Sequence, residues 1–263
     1  MTATPAPAET GRPFIRMEGV KKIYRTGGQE FLAVSDVTMS VTEGELVALV
    51  GPSGCGKTTV LKILAGLHGH DGGTVEIGDP AHPFQPGRDV GMVFQQPLLL
   101  KWRTILQNVL LPAEILGLPM QEAKERARDL LKLVGLEGFE EKRPYELSGG
   151  MQQRAAIARA LVHDPKLVLM DEPFGALDAL TRERMNLELL RIWAESGKTI
   201  LFVTHSIQEA VLMGSHCAVL TAGPARMADF FAIDLPYPRR LDMRQSPEFG
   251  VYARRIYDLL GME

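Results

Sequence analysis

Gly51-Pro52-Ser53-Gly54-Cys55-Gly56-Lys57-Thr58 lies between the apolar run Glu45–Val50 and a segment that reads as a helix from Lys57 to about Gly66. The string fits G-x-x-x-x-G-K-[ST] and stands in the context that pattern requires, after a strand and at the start of a helix. Its glycines let backbone N–H groups turn inward around a phosphate chain, and the helix behind them presents its positive end there. Lys57 is the residue expected to reach the β and γ phosphates, and the Thr58 hydroxyl to ligate Mg²⁺. Gly51, Pro52, Ser53, Gly54, Cys55, Gly56, Lys57, Thr58 and the adjoining Thr59 therefore form the candidate phosphate-binding run.

Outward from this loop the pattern alternates between strands and helices. Upstream, Phe14–Tyr24 and Phe31–Val41 alternate apolar and polar positions as half-buried strands do, with Gly27-Gly28 as the turn between them. Downstream, Thr74–Ile77 and Val90–Phe94 read as strands, with loop between them. From about Thr104 to Gly135 the period becomes helical, which suggests an inserted helical subdomain. A helix over Gly150–Val162 precedes the strand Leu167–Met170. A helix over Leu180–Ala194, a strand Thr199–Val203, a helix Ile207–Met213, a strand Cys217–Leu220 and a terminal helix over Pro247–Leu260 follow. Such alternation predicts a mostly parallel sheet with helices on both faces.

The strand Leu167-Val168-Leu169-Met170 ends in the acids Asp171 and Glu172. Beside a phosphate loop, Asp171 is the candidate to hold Mg²⁺. Glu172 is the candidate to orient or deprotonate an attacking water.

Composition sets the limits. The chain has 263 residues, 45% of them hydrophobic, enough for one large domain with a real core. A net charge of −3 argues against a dedicated nucleic-acid binder. Two distant thiols, Cys55 and Cys217, give neither a disulfide framework nor metal-ligand spacing and fit a reducing compartment. No signal peptide opens the chain, no apolar run approaches the roughly 20 residues that cross a bilayer, and residues 1–13 read as a disordered tail.

Leu147-Ser148-Gly149-Gly150-Met151-Gln152-Gln153-Arg154 stands just before the helix that leads to the acidic strand. Small residues at a helix N-terminus make an anion site from backbone N–H groups. With Gly51–Thr58 and Leu167–Glu172, this string resembles the signature of ABC-type ATPases, and the resemblance covers nearly the whole chain from Phe14 on. It implies an α/β P-loop NTPase of ABC type: a mostly parallel core sheet, an N-terminal antiparallel β subdomain and an inserted helical subdomain. The ABC domain would span 14–245, the helical insertion about 97–163, and a C-terminal helix 246–263. The expected ligands are ATP and Mg²⁺.

The resemblance also implies residue roles. Ser148, Gly149 and Gly150 would face the γ-phosphate of a nucleotide held by a second copy of the chain in a head-to-tail dimer. Gln95 matches the glutamine that touches Mg²⁺ and starts the helical subdomain, and Asp178 the loop that crosses the dimer interface. His205 matches the switch histidine on the γ-phosphate. Tyr24 matches the aromatic that stacks on adenine, with Phe31 a nearby competitor. Glu172, His205, Gln95 and Lys57 make up the catalytic set; Thr58, Gln95 and Asp171 make up the metal set. Thr58 stands where the family most often has Ser, and both carry the hydroxyl.

Three branches compete: an importer subunit, an exporter half and a non-transport ATPase of DNA repair or translation. The chain carries no fused membrane domain, no coiled-coil insertion and a single motif set, which favours the first. Phe94-Gln95-Gln96-Pro97, Leu99-Leu100-Lys101-Trp102, Asn108-Val109, Ala179-Leu180-Thr181-Arg182 and Pro238-Arg239-Arg240 resemble the nitrate/sulfonate/taurine importers, although that branch usually has Pro where this chain has Lys101. The implied partners are two integral-membrane permeases and, indirectly, a solute-binding protein. The implied location is peripheral, on the cytoplasmic side of the inner membrane. A permease helix would dock near Gln95–Asn108; Leu98–Leu100 read equally as groove lining or as subdomain core.

Overall fold

Alternation in the first forty residues builds a hairpin. The computed structural model describes residues 13–79, 82–175 and 177–261, so the tail expected over 1–13 lies, Pro13 apart, outside the described residues. Strands β1 (Ile15–Thr26) and β2 (Gln29–Val41) pair antiparallel, with Tyr24 opposite Phe31. Gly27 and Gly28 turn between them at φ +59° and +81°, the left-handed region that a two-residue hairpin turn demands.

Strand β3 (Leu46–Val50) leads through the glycine-rich loop into helix α1 (Lys57–Leu64). β4 (Gly72–Asp79) pairs with β1 and then with the two-residue β5 (His82–Pro83). A one-turn helix α2 (Pro86–Asp89) precedes β6 (Val90–Val93); β5 and α2 occupy a stretch that the sequence suggests is plain loop.

Helices α3 (Ile105–Ile115), α4 (Met120–Leu133) and α5 (Gly149–Leu161) follow in succession with no strand between them. Thr104 and Gln107 form a reciprocal capping box at the start of α3. Two orphan N–H groups are thereby satisfied, which fixes where this helical segment begins.

β7 (Leu167–Asp171), α6 (Ala179–Ser196), β8 (Thr199–Thr204), α7 (Ile207–Met213), β9 (His216–Leu220), β10 (Ala225–Ala232) and α8 (Pro247–Leu259) complete the chain. The strands form one ten-stranded sheet in the order β5-β4-β1-β2-β10-β9-β3-β8-β7-β6. Its block β9-β3-β8-β7-β6 is parallel throughout. β1, β2 and β4 form an antiparallel wing, joined to the block through β10.

The parallel strands are buried on both faces, which is why they read as unbroken apolar runs. Period-two side chains separate them cleanly. Val168, Met170, Ile200 and Phe202 enter the core shared with α3–α7, whereas Leu167, Leu169, Leu201 and Val203 enter the core shared with α1 and the β wing. Both thiols are buried in these cores and free, and burial pushes Cys217 up to about 12.

Candidate active site

In an open parallel sheet, ligands gather beyond the carboxyl ends of the strands. Here the neighbours β3, β8, β7 and β6 end, in that order, in the glycine-rich loop, His205, the Asp171–Glu172 pair and the Phe94–Gln95 segment.

Two glycines of the loop are required by space as well as by conformation. A Cβ on Gly51 would meet Cys55 Sγ and Leu220 O at 2.9 Å; one on Gly56, which sits at φ +117°, would meet Ala33 O at 2.8 Å. Gly56 is also the N-cap of α1 and has no side chain to occupy the helix end, so the positive end of α1 faces the loop centre. Lys57 is buried, and its ammonium donates to Gly51 O and Pro52 O, both at 2.8 Å. That contact holds the cation across the mouth of the loop. The cradle therefore fits a phosphate chain.

The Thr58 hydroxyl donates to Asp171 Oδ1 at 3.2 Å. Burial pushes the Asp171 carboxyl above its ordinary range, and the neighbouring Glu172 charge adds to this, against the Thr58 hydroxyl that favours the ionised form. A hydroxyl and a carboxylate on one spot are the hard oxygen donors that Mg²⁺ takes, so these two residues fit the metal.

Glu172 holds a left-handed backbone at φ +48°. Its amide donates to Val203 O at 3.2 Å, which ties it to β8. Its carboxylate meets His205 Nε2 at 2.5 Å through one oxygen and accepts from Gln95 Nε2 at 3.1 Å through the other. Residues from β6, β7 and β8 thus converge on one carboxylate.

Tyr24 stands at the edge of this region. Its hydroxyl lies 3.4 Å from Thr59 Oγ1, and its ring packs edge-on to His68 with centroids 5.6 Å apart. Its cross-strand neighbour Phe31 is exposed.

Ser148, Gly149 and Gly150 lie elsewhere. Ser148 caps α5 by accepting from Met151 N at 3.3 Å, and among the described residues no hydrogen bond joins this turn to Gly51–Thr59. The turn abuts the start of α6: a Cβ on Gly150 would meet Leu177 Cδ2 at 3.2 Å. Asp178 caps α6 by accepting from Thr181 N at 3.0 Å, and its carboxyl lies below the usual range because Thr181 donates to it.

Several participants escape sequence reading. Gln153 is buried and donates from Nε2 to Phe94 O at 3.1 Å, joining α5 to the residue before Gln95. Asn108 is buried and, through Leu100, Arg103 and Thr104, shapes the segment after Gln95. Leu98 is exposed while Leu99 packs on the core. His68, Arg182, Thr204 and Glu209 also border the site. The S-x-x-E spacing of Ser206 and Glu209 is a capping signature that points to the last of these.

A glycine loop at a buried strand, a lysine across it and an acid pair two strands along define a P-loop ATPase of cassette type. Residues 34–175 match the model of the ABC transporter family. An uncharacterised ABC transporter ATP-binding protein of Methanocaldococcus jannaschii is 48% identical over 94% of this chain and 91% of its own length. The taurine import ATP-binding protein of Roseobacter denitrificans is 42% identical over 89% of this chain and 88% of its own. The aliphatic sulfonates import ATP-binding protein of Bacillus subtilis is 41% identical over 90% of each. A dimeric ATP-binding cassette solved in a post-hydrolysis state with ADP and Pi superposes with a TM-score of 0.73 at 33% identity, over 84% of this chain and all of its own. The chain belongs to the ABC transporter family and is an ATP-binding, ATP-hydrolysing subunit.

Proposed function

We propose that the importer energised by this subunit carries a small solute bearing a sulfonate group, and that the residues converging on Glu172 perform the hydrolysis. The solute class is supported by the relatives named for taurine and aliphatic sulfonates.

Lys57 and the loop amides bind the phosphate chain, and Tyr24 stacks on the base. Thr58 and Asp171 hold Mg²⁺, with Gln95 beside them. Bound Mg²⁺ supplies positive charge against the phosphate oxygens. Glu172 accepts the proton of the attacking water, and His205 holds that carboxylate in place while facing the γ-phosphate.

Ser148, Gly149 and Gly150 complete the site of a second copy, and Asp178 lies at the crossing between copies. The observation that carries the reading is the double contact of Glu172 with Gln95 and His205 beside the Thr58–Asp171 pair.

Two permease subunits, served by a solute-binding protein, dock this chain at the cytoplasmic face of the membrane. Among the described residues no helix is long and apolar enough to cross one. A cavity of about 320 Å³ between β6 and α3, lined by Met92, Phe94, Leu98, Leu111 and Ile115, is the seat for a permease helix.

Replacing Glu172 with Gln is expected to lower ATP turnover by at least about a hundredfold, the usual contribution of a general base. ATP binding should survive, and light scattering should show a dimer with ATP and a monomer without it. Unchanged turnover in this variant would sink the role of Glu172; absence of ATP binding in the parent protein would sink the whole reading.

A further inference from the structure

The residues around Glu172 and His205 close into a ring, and two of its members lie outside the set described above. The ring begins at Arg182, in the first turn of α6. Its guanidinium donates to Phe174 O at 3.2 Å, Gly175 O at 3.4 Å and Leu177 O at 2.8 Å. It thereby holds the turn that runs on from Glu172, a turn closed by Gly175 N donating to Glu172 O at 3.1 Å.

The other half of the ring starts at Glu209, buried in the first turn of α7. The Ser206–Glu209 spacing predicts a reciprocal cap, with the carboxylate reaching back to Ser206 N. Only half of that cap forms. Ser206 Oγ accepts from Glu209 N at 3.2 Å, but the Ser206 amide donates to Thr204 Oγ1 at 3.0 Å. The Thr204 hydroxyl then donates to Glu209 Oε2 at 2.5 Å. Thr204 and Ser206 flank His205, so this relay fixes the backbone on both sides of the histidine.

Routing the cap through Thr204 leaves Glu209 Oε1 free to face Arg182, whose Nε lies 3.8 Å away. The contact between His205 and Glu172 closes the ring on its far side. A cavity of about 130 Å³ lies between the two halves, lined by Glu172, Gly175, Arg182, His205 and Glu209 among others.

We infer that Arg182 and Glu209 are positioning residues that act as one unit: Arg182 sets the turn carrying Glu172, Glu209 sets the turn carrying His205, and their pairing keeps the two reacting side chains in register. Neither touches the reacting atoms. The inference rests on the proposed roles of Glu172 and His205.

Geometry near a reacting centre is costly to lose, whereas the phosphate loop that binds ATP lies outside the ring. Arg182→Ala and Glu209→Ala are therefore each expected to lower kcat by about tenfold, or ~1.4 kcal/mol, with KM for ATP unchanged within about twofold. Because the two act as a unit, the double variant should be about as slow as the slower single one. Glu209→Gln keeps an acceptor for the Thr204 hydroxyl but turns an N–H toward Arg182, so it should recover only a minor part of the loss. If Arg182→Ala does not fold, Arg182→Lys and Glu209→Ala supply the same cycle.

Losses that multiply in the double variant, a KM that rises as kcat falls, or a kcat loss that follows the unfolding temperature would each overturn the unit. Active parent protein with any of these results defeats this inference alone. Undiminished turnover in Glu172→Gln defeats the reading beneath it.

Discussion

Glu172 is an L-residue held at φ +48°, where its Cβ crowds the backbone. That conformation aims its carboxylate between Gln95 and His205, so the strain is part of how the site is built. Replacing Glu172 with Ala or with Gly deletes the same carboxylate contacts, but only Gly relieves the left-handed backbone. Both variants should lose hydrolysis, and the Gly variant should be the more stable in urea by about 1 kcal/mol. Equal midpoints for the two, or a less stable Gly variant, would show that the backbone at this position carries no strain. The identity of the residue was legible in the sequence, because an acid pair at the end of an apolar strand beside a phosphate loop has few other uses. Its backbone angle was not legible, since it depends on the turn through Gly175 and on the bond to Val203. Arg182 was hidden altogether, and for Glu209 the S-x-x-E spacing points only to a helix cap, because what the two do is set by carbonyls and a hydroxyl brought together only by the fold.

Regular elements were legible wherever burial imposed a clean period. The β1–β2 hairpin, the runs β3, β7 and β8, and helix α7 follow from alternation, continuous apolar burial or helical spacing. Strand β10, read from Ala-Arg-Met-Ala-Asp-Phe-Phe-Ala, was not. It is a seam, antiparallel to β9 on one side and parallel to β2 on the other, and its four central side chains in a row are half-buried, so no period-two pattern is written into it. The segment after it performs a task that the sequence also conceals. Arg239 is buried and donates to Val211 O at 3.2 Å, Gly214 O at 3.4 Å and Ile233 O at 2.9 Å, while its guanidinium lies 4.2 Å over the Tyr237 ring. The last carbonyls of α7 have no helical partner and need such a donor. Arg239→Met should therefore cost about 3 kcal/mol in urea unfolding, since it strands buried carbonyls that had a charged donor. Arg239→Lys, with no planar fork, should recover less than half of that. A loss under about 1 kcal/mol for the Met variant would mean that the strap contributes little to holding α7.

At the scale of the whole molecule, the two helix ends proposed to face phosphate are carried by different supports. α1 packs on β7 and β2, whereas α5 packs on α3, α4 and β6. Within one chain no hydrogen bond among the described residues links Ser148–Gly150 to the phosphate loop. In the proposed arrangement the signature serves the nucleotide held by a second copy, and a two-fold axis makes two such sites at once. This has a consequence that neither variant shows by itself. Lys57→Ala removes the phosphate-loop cation, and Ser148→Arg blocks the signature, so a dimer of either variant alone has no intact site. A mixed dimer pairs the intact loop of one chain with the intact signature of the other and regains one site of two. With equimolar mixing and random pairing, half of the dimers are mixed, so turnover should return to about a quarter of the parent rate. If loop and signature instead worked within one chain, each chain in the mixture would still carry its own lesion and turnover would stay at the level of the separate variants.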